Sequence, residues 1–503
     1  MTAPISQQEL EGYLWGAATH LRGHVDAGDY KQFVFPLLFF KRLSDVYDEE
    51  FSSAMTESGG DEAYATFPEQ HRFVIPDGAH WRDVRAVTKN VGKAIRDAMR
   101  EIESANPGRL DGIFGDAPWT NRDRLPDEML KNLVEHFSGR CLDRKAVPED
   151  ELGNAYEFLI KKFADDSGHT AQEFYTNYDP TCGTGGMLIS ALAEVKRMGG
   201  EWRTLGLYGQ EINLMTSAIA RMNLLLHGVE DFEIQRGDTL AEPRFLAGDR
   251  LRSFDVALAN PPYSIKQWNR DLWSADPFGR NTLGLPPQGR ADYAFFQHIL
   301  ASLAPKSGRC AILFPHGVLF RKEETEMREA LVRRDLVECV LGLGPGLFYN
   351  SPMEACVVIC RTQKPKARKG RILFIDGVHE IARERAQSFL KPAHQSRVLA
   401  AYKAFSDEPG LAAVADLAAI EKQGFSLSIP LYVARSPAGG TVAAGEGSEP
   451  ESLAAAWAKW KADGEAFWRQ MDEVTAMLDG LDQGVQESPT QNQRPKRGLP
   501  REH

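Results

Sequence analysis

The spacing of apolar residues divides the chain into a helical first part and a mixed second part. Between residues 5 and 50, apolar positions recur every three or four residues, which is the period of an amphipathic helix. A second helix is predicted within this region from Tyr30 to Tyr47, and others over residues 90–103 and 126–138. We therefore predict an all-helical N-terminal domain over residues 1–148.

From residue 149 onwards, strand-like and helical segments alternate. The predicted strands cover residues 205–209, 254–259, 309–314, 336–343 and 355–361. The predicted helices cover residues 151–164, 213–227, 291–303 and 323–334, and one more begins near Met187. Such alternation is typical of a doubly wound α/β sheet. We assign this second domain to residues 149–438.

The last part of the sequence contains a linker and a further helical pattern. Residues 439–450 are rich in Gly, Ala and Ser, as in flexible linkers. Over residues 451–482 apolar residues follow a 4-3 spacing, which predicts a helix with a heptad seam. That helix either folds back on its own chain or docks against a helix of another subunit. Residues 483–503 are polar and Pro-rich, so we predict a disordered tail.

The composition is that of an ordinary soluble globular protein with more than one domain. The chain has 503 residues, of which 43% are hydrophobic and 26% charged. The longest apolar run near the start, Phe33 to Phe40, is too short to span a bilayer, and no signal peptide is recognisable. We therefore expect a cytoplasmic location without a membrane. The six cysteines form no CxxC pair, and Cys356 and Cys360 are predicted to be buried free thiols.

The net charge restricts how the chain can hold nucleic acid. At −11 it argues against binding DNA through the whole surface. If the protein acts on DNA, a local basic cleft or a partner subunit must supply much of the phosphate contact.

The stretch Asn260-Pro261-Pro262-Tyr263 is the first candidate for chemistry. It follows the predicted strand 254–259, and ligands of doubly wound sheets bind at the carboxyl ends of strands. The two prolines fix φ and remove two backbone donors, so the turn is stiff. An amide side chain, a free carbonyl and an aromatic ring then lie at one edge. This pattern predicts a site for a planar molecule that carries an exocyclic amine.

A Gly-rich segment, Asp179 to Gly186, is the second candidate. It precedes a predicted helix, and its glycines let the backbone approach a cofactor closely. Glu211 follows the next predicted strand, where an acid can accept hydrogen bonds from ribose hydroxyls. Asp238 comes before the strand that leads to Asn260. Each acid alone could be a capping residue, but the ordered set at strand ends predicts a cofactor site.

These features together resemble the amino-methyltransferases that use S-adenosylmethionine. Further segments narrow the resemblance to the modification (M) subunit of type I restriction–modification systems. They are Leu14-Trp15, Leu21-Arg22, Tyr30-Lys31, residues 173–176, 291–298, 315–321 and 347–349, and Phe425 to Pro430 with Tyr432. The resemblance extends over about residues 10–433 and implies a Rossmann-like methyltransferase sheet.

The resemblance implies methyl transfer to adenine N6 in DNA, with the target base flipped out of the duplex. The Asn260 oxygen and the Pro261 carbonyl would accept the two N–H bonds of the amine, and Tyr263 would stack on the base. The expected catalytic residues are Asn260, Pro261, Pro262 and Tyr263. S-adenosyl-L-methionine would be bound by Glu173, Phe174, Tyr175, Thr176, Asp179, Thr181, Gly183, Gly185, Gly186, Glu211, Asp238 and Asn260. No metal is required.

The resemblance also implies partners. A separate specificity (S) subunit would read the DNA sequence, with two M subunits per S subunit, and a restriction (R) subunit is a further option. The chain is acidic and has no long insertion between its predicted strands. Both features agree with a separate subunit that reads the DNA sequence. The heptad segment 451–482 is the predicted dock for the S subunit.

The sequence departs from the family pattern between Thr176 and Asp179. In the family a helix and the start of the first strand separate these two motifs, whereas here only Asn177 and Tyr178 do. Either the first strand is rebuilt from Glu173 to Tyr178, or part of the natural chain is missing from this sequence. A chain that is truly shortened here is expected to bind the cofactor weakly.

Two further features have competing interpretations. His298 is expected to be a packed or capping residue rather than a catalytic one. The segment from Lys266 to Pro287 contains two tryptophans and two arginines. It is either an ordinary surface loop or a lid that contacts DNA or the target base, and we favour the lid. Other functions that the sequence leaves open are a self-sufficient adenine methyltransferase, a protein-glutamine methyltransferase, and a non-catalytic scaffold.

Overall fold

The computed structural model describes residues 6–167, 178–199, 202, 205–229, 231–348, 354–384 and 387–434. All of them belong to one compact unit, Met1–Ser436. The cofactor residues predicted at positions 173–176 lie outside the described residues. So do the linker, the heptad helix and the tail predicted over residues 439–503.

The N-terminal part is helical, as predicted. Helices α1 to α7 span Gln7–Thr19, Lys31–Glu57, Glu62–Ala65, Trp81–Ala86, Val91–Ala105, Asp127–Ser138 and Glu149–Ser167. A capping box at Ser6 and Glu9 starts α1, since it satisfies backbone donors that have no partner inside the helix. Helix α2 is apolar on every side between Phe33 and Phe40, and it is buried there because it runs through the middle of the domain.

The second part is the predicted α/β structure. Strands β1 to β13 span Tyr178–Asp179, Leu207–Glu211, Phe232–Arg236, Leu246–Ala247, Arg250–Leu251, Val256–Ala259, Arg309–Pro315, Val337–Leu343, Ala355–Arg361, Arg371–Gly377, Ala382–Glu384, Gln387–Phe389 and Ala412–Asp416. Helices α8 to α14 span Gly186–Arg197, Leu214–Leu226, Arg270–Ser274, Asp292–Ala301, Thr325–Arg333, Pro392–Ala404 and Leu417–Lys422.

Nine of these strands form one sheet in the order β13-β10-β8-β9-β7-β6-β1-β2-β3. The strand pairs β7–β6, β6–β1, β1–β2 and β2–β3 are parallel. Strand β9 is antiparallel to both of its neighbours, β7 and β8. The predicted doubly wound class is confirmed, but the direction of β9 was not foreseen. Since only eleven positions separate Leu343 from Ala355, the connection from β8 to β9 is too short for a parallel crossover.

The order of the strands creates a switch point beside β1. From β1 the chain passes through α8 to β2 on one side, and after β3 it enters β6 on the other side. Ligands of such sheets bind at the carboxyl ends of the strands where the order reverses. The predicted motifs follow β1, β2, β3 and β6 and therefore converge there.

Strand β1 is short for a strand at the centre of a sheet. Tyr178 pairs with Tyr208 of β2 and with Ala257 of β6, and its ring stacks on Phe254 at 4.2 Å between ring centroids. The Tyr178 hydroxyl lies 2.7 Å from Nε2 of His298, so this large polar residue is satisfied in the core. The residues immediately before β1 lie outside the described ranges, so both interpretations of the short join stay open.

One hydrophobic core connects the two parts of the chain. The cluster that contains Phe33 continues onto Tyr156 of α7 and onto Ile219 and Met222 of α9. Helix α7 packs with the N-terminal helices. The domain boundary predicted after residue 148 stays a prediction. Cys356 and Cys360 are buried free thiols, as predicted. None of the helices in the described ranges is long and apolar enough to cross a membrane.

Candidate active site

A cavity of about 790 Å³ lies at the switch point. Its volume is within the range of small-molecule sites. The structure brings most of the predicted residues of both motifs to this one cavity. The predicted residues that line it are Thr181, Gly183, Glu211, Asp238, Asn260, Pro261, Pro262 and Tyr263.

The Gly-rich turn forms the wall beside β1. Gly183 and Gly185 have φ of 53° and 80°, a conformation that other residues adopt only at a cost. Asp179 is buried, and its Oδ1 accepts the Thr181 N–H at 2.9 Å. Asp179, Gly185 and Gly186 belong to the same turn but are not among the residues that line the cavity.

Glu211 places a carboxylate at the end of β2. Its Oε2 accepts the Gly183 N–H at 3.2 Å, and its Oε1 accepts the Asn213 N–H at 2.8 Å. Burial raises the pKa of Glu211, and the backbone donors oppose that rise. Each oxygen keeps a further lone pair for a ligand hydroxyl.

Asp238 follows β3 and lines the same cavity. Its Oδ1 accepts the N–H groups of Leu240 and Ala241 at 2.9 and 3.2 Å, which fixes the turn. Next to it, the buried Thr239 hydroxyl donates to the Pro180 carbonyl. The turns after β1 and β3 are thus joined directly, and both residues of this bond line the cavity.

The Asn260 turn closes the opposite side. Pro261 is buried, Pro262 is exposed, and Tyr263 is partly buried. The Tyr263 hydroxyl is buried without a hydrogen-bond partner in the described part of the chain, and burial raises its pKa. Ser264, which follows, has φ of 53° and donates its N–H to Oδ1 of Asp292 at 2.9 Å.

The segment 266–287 has its own buried anchor, which the sequence did not reveal. Arg280 is 2% exposed and pairs with Asp276 at 2.6 Å, while its Nη1 and Nη2 donate to the carbonyls of Thr239 and Leu240 at 3.0 and 2.8 Å. Trp273 is 2% exposed and lies beneath the guanidinium. The suggestion that this segment contacts DNA is therefore wrong for Arg280 and Trp273, whereas Trp268 lines the cavity.

His298 is a packed residue, as expected. Its Nε2 is bonded to the Tyr178 hydroxyl, and its Nδ1 lies 3.3 Å from Nη1 of Arg280. Burial, together with the Arg280 charge, lowers the pKa of His298, so its ring is neutral. A neutral ring links the central strand to the segment that Arg280 anchors.

Sequence reasoning did not single out several apolar residues of the cavity, among them Ile212 and Phe348. Ile212 is 62% exposed and follows Glu211 directly, and Phe348 lines the cavity from the connection between β8 and β9. An exposed large apolar side chain next to a predicted ribose-binding acid is a signal that could have revealed Ile212. Phe348 carried no signal beyond its place in the segment 347–349.

A buried charged cluster lies behind the Asn260 turn. Arg321 donates from Nη1 to Oδ2 of Asp292 at 2.7 Å and lies 3.4 Å from Oε1 of Glu324. One guanidinium therefore faces two buried carboxylates. Burial raises the pKa of Glu324 to about 7; Arg321 opposes this rise and Asp292 adds to it.

We expect Glu324→Gln to change how stability depends on pH. The pKa of Glu324 is higher in the folded chain than its ordinary value of 4.5, so the stability that its protonated carboxyl contributes is complete below pH 4.5. This contribution to stability is lost as pH rises through about 7. A shift of this size is worth at most about 3 kcal/mol. Relative to wild type, the variant should therefore gain stability at pH 8.5 and not at pH 4.5.

Thermal unfolding at the two pH values measures this difference. Glu323→Gln is the matched control, because Glu323 is an exposed neighbour that pairs with Arg290 on the surface. Equal pH dependence in wild type and Glu324→Gln would contradict the prediction. The groups that face Glu324 are Arg321, Asp292, Arg328 and Tyr293, and both variants leave them in place.

Comparison with protein families and known structures identifies relatives along most of the chain. Residues 177–439 match the N-6 DNA Methylase family, and residues 10–137 match the HsdM N-terminal domain. The type I restriction enzyme MjaIX methylase subunit of Methanocaldococcus jannaschii is 26% identical over 84% of this chain and 84% of its own length. The MpnII methylase subunit of Mycoplasma pneumoniae is 27% identical over 84% and 89%. The crystal structure of a type I restriction-modification system methyltransferase subunit from Streptococcus thermophilus superposes with a TM-score of 0.74 at 28% identity, covering 86% of this chain and all of that one.

Proposed function

The chain belongs to the N-6 DNA methylase family, as a modification subunit of type I restriction–modification systems, and from this premise we propose its reaction. We propose that it transfers a methyl group from S-adenosyl-L-methionine to N6 of adenine in DNA. The observation that carries the proposal is the convergence of Glu211, Asp238 and the Asn260 turn on one cavity.

The polar groups of the cavity fit the cofactor chemically. Glu211 has carboxylate lone pairs for the two ribose hydroxyls, and Asp238 has a carboxylate for the exocyclic amine of the cofactor adenine. Ile212 offers an exposed apolar side chain next to them for the face of a base. Gly183 leaves room for close approach because it carries no side chain. When bound, the cofactor supplies an electrophilic methyl group on a sulfonium.

The Asn260 turn supplies the other half of the chemistry. The amine of adenine is a poor nucleophile because its lone pair is delocalised into the ring. The side-chain oxygen of Asn260 and the Pro261 carbonyl accept its two N–H bonds, which localises the lone pair on nitrogen. Tyr263 and Phe348, which both line the cavity, offer ring faces to the flipped base. Positioning and fixed dipoles therefore do most of the catalytic work.

A methylation assay with an isotope-labelled cofactor tests the proposal. The full chain, purified together with a specificity subunit, should transfer label to DNA, and nucleoside analysis should find the label in N6-methyladenine. Label in N4-methylcytosine or in protein would overturn the assignment. Activity of the chain alone would favour the self-sufficient alternative, and no transfer despite cofactor binding would favour the scaffold. Calorimetric titration with the cofactor also measures whether the short join before Asp179 weakens binding.

We also propose that a specificity subunit supplies much of the contact with DNA. The net charge of −11 makes this chain a poor binder of phosphate over its whole surface. In this proposal two M subunits join one S subunit, and an R subunit can be added to the assembly.

Removing residues 449–503 should abolish co-purification with the S subunit, because the deletion removes the predicted heptad seam through which the chain would dock. Cofactor affinity and thermal stability of residues 1–448 should stay close to those of the full chain. Pull-down with a tagged S subunit measures the first effect, and calorimetry measures the second. Unchanged complex formation would assign the dock to another part of the chain.

A further inference from the structure

The catalytic turn needs an external anchor. Pro261 and Pro262 have no backbone N–H, so two of the donors that could fix the turn internally are missing. Just beyond Tyr263, Ser264 has a left-handed φ of 53°, which costs a residue with a side chain on the order of 1 kcal/mol. Something in the surrounding structure must therefore hold this conformation.

Asp292 at the start of α11 provides that anchor. It is 1% exposed, and its Oδ1 accepts the Ser264 N–H at 2.9 Å. Its Oδ2 accepts from Nη1 of Arg321 at 2.7 Å, so the carboxylate cannot rotate away. The Arg321 guanidinium lies over Gly317, where an added Cβ would collide with it. Gly317, Arg321 and Asp292 thus form a chain of contacts that ends at Ser264.

We infer that Asp292 is a positioning residue that fixes the backbone of the Asn260 turn and thereby the orientation of the Asn260 amide and the Tyr263 ring. This inference rests on the proposed methyl transfer. Asp292 touches the turn and not the reacting atoms, so its loss should lower the rate of the chemical step and leave cofactor binding unchanged. Misplacement of catalytic groups by about 1 Å can cost on the order of a hundredfold in rate.

The test compares Asp292→Ala with Asp292→Asn in the complex with the S subunit. Asp292→Ala should lower kcat about 30- to 100-fold with KM for DNA and cofactor Kd within about threefold of wild type. Asp292→Asn keeps an oxygen that can accept the Ser264 N–H, so it should retain several times more activity. Glu323→Ala removes an exposed carboxylate from the segment that carries Arg321 and is the control expected to match wild type.

A rescue variant separates positioning from general destabilisation. Glycine adopts a positive φ at little cost, so Ser264→Gly in the Asp292→Ala background should recover part of the lost kcat. Gly317→Ala displaces the Arg321 guanidinium without touching Asp292 and should reproduce the fall in kcat, which keeps the test valid if Asp292→Ala does not fold.

Each possible result either supports or overturns the positioning role of Asp292. Asp292→Ala with wild-type kcat would overturn the inference, as would a parallel loss of kcat, cofactor affinity and melting temperature without rescue by Ser264→Gly. A fall in kcat alone, with rescue or with retention by Asp292→Asn, supports it. If wild type itself transfers no methyl group, the proposed function fails. That result is distinct from an active wild type whose kcat does not change on Asp292→Ala.

Discussion

Asn260→Ala should reduce methyl transfer by about a thousandfold, because in the proposed mechanism it removes one of the two acceptors for the reacting amine. The residue follows β6 directly and lines the cavity beside the Pro261 carbonyl. One acceptor would remain after the substitution, but a single carbonyl cannot engage both N–H bonds and localise the lone pair. Because the effect arises in the chemical step, the fall should appear in kcat.

Single-turnover kinetics with labelled cofactor measures this effect, and calorimetry reports cofactor affinity in parallel. Asn260 was also predicted to contact the cofactor, so a change in Kd of a few-fold is compatible with the proposal. Asn260→Asp keeps an acceptor oxygen and should be less impaired than Asn260→Ala. Gln423→Ala, which removes an exposed amide at the end of α14, is the control expected to behave as wild type. Methyl transfer by Asn260→Ala at more than a tenth of the wild-type rate would contradict the proposed role of Asn260.

Arg280→Met should cost about 3–5 kcal/mol of stability, since it leaves a buried carboxylate without its counter-charge. The side chains of Arg280 and Asp276 are 3% and 2% exposed. The guanidinium also satisfies the carbonyls of Thr239 and Leu240, which lie next to Asp238 at the cavity. The same substitution should therefore weaken cofactor binding by loosening the turn that carries Asp238.

Denaturant unfolding and calorimetric titration measure the two effects of Arg280→Met. The matched control is Arg270→Met in the same segment, because Arg270 is only partly buried and donates to the carbonyl of Pro286. Its cost should stay within about 1 kcal/mol. Adding Asp276→Leu to Arg280→Met should restore much of the lost stability, since an apolar pair of similar volume avoids the unpaired charge. An Arg280→Met chain as stable as the control would contradict the burial argument.

The local pattern of the sequence predicted most elements well. The strand predicted over residues 309–314 is observed at Arg309–Pro315, and the one predicted over 355–361 is observed at Ala355–Arg361. The helix predicted over 126–138 begins one residue later. These segments are long and strongly patterned, so their own periodicity decides their structure. The strands after residue 370 were not predicted, although Arg371–Gly377 contains the apolar run from Ile372 to Ile375.

Contacts distant in sequence explain what pattern reading missed at the site. Arg280 and Trp273 look like surface residues of a basic and aromatic loop, yet both are buried because Asp276, two backbone carbonyls and His298 enclose the guanidinium. Asp292 lies 28 positions after Ser264, and no local motif relates the two. Burial of a charge depends on which partners the fold supplies, and that information is not local.

The sequence by itself determined the class of the sheet, the order of the motifs and their places at strand ends. It could do so because turn residues and hydrophobic periods act over a few neighbouring positions. Only the tertiary structure decided that these ends meet at one cavity, that β9 runs antiparallel, that Asp292 accepts the Ser264 N–H, and that Arg280 donates to the carbonyls next to Asp238. Those outcomes depend on strand order and on pairing between distant residues, which packing selects after the local elements have formed.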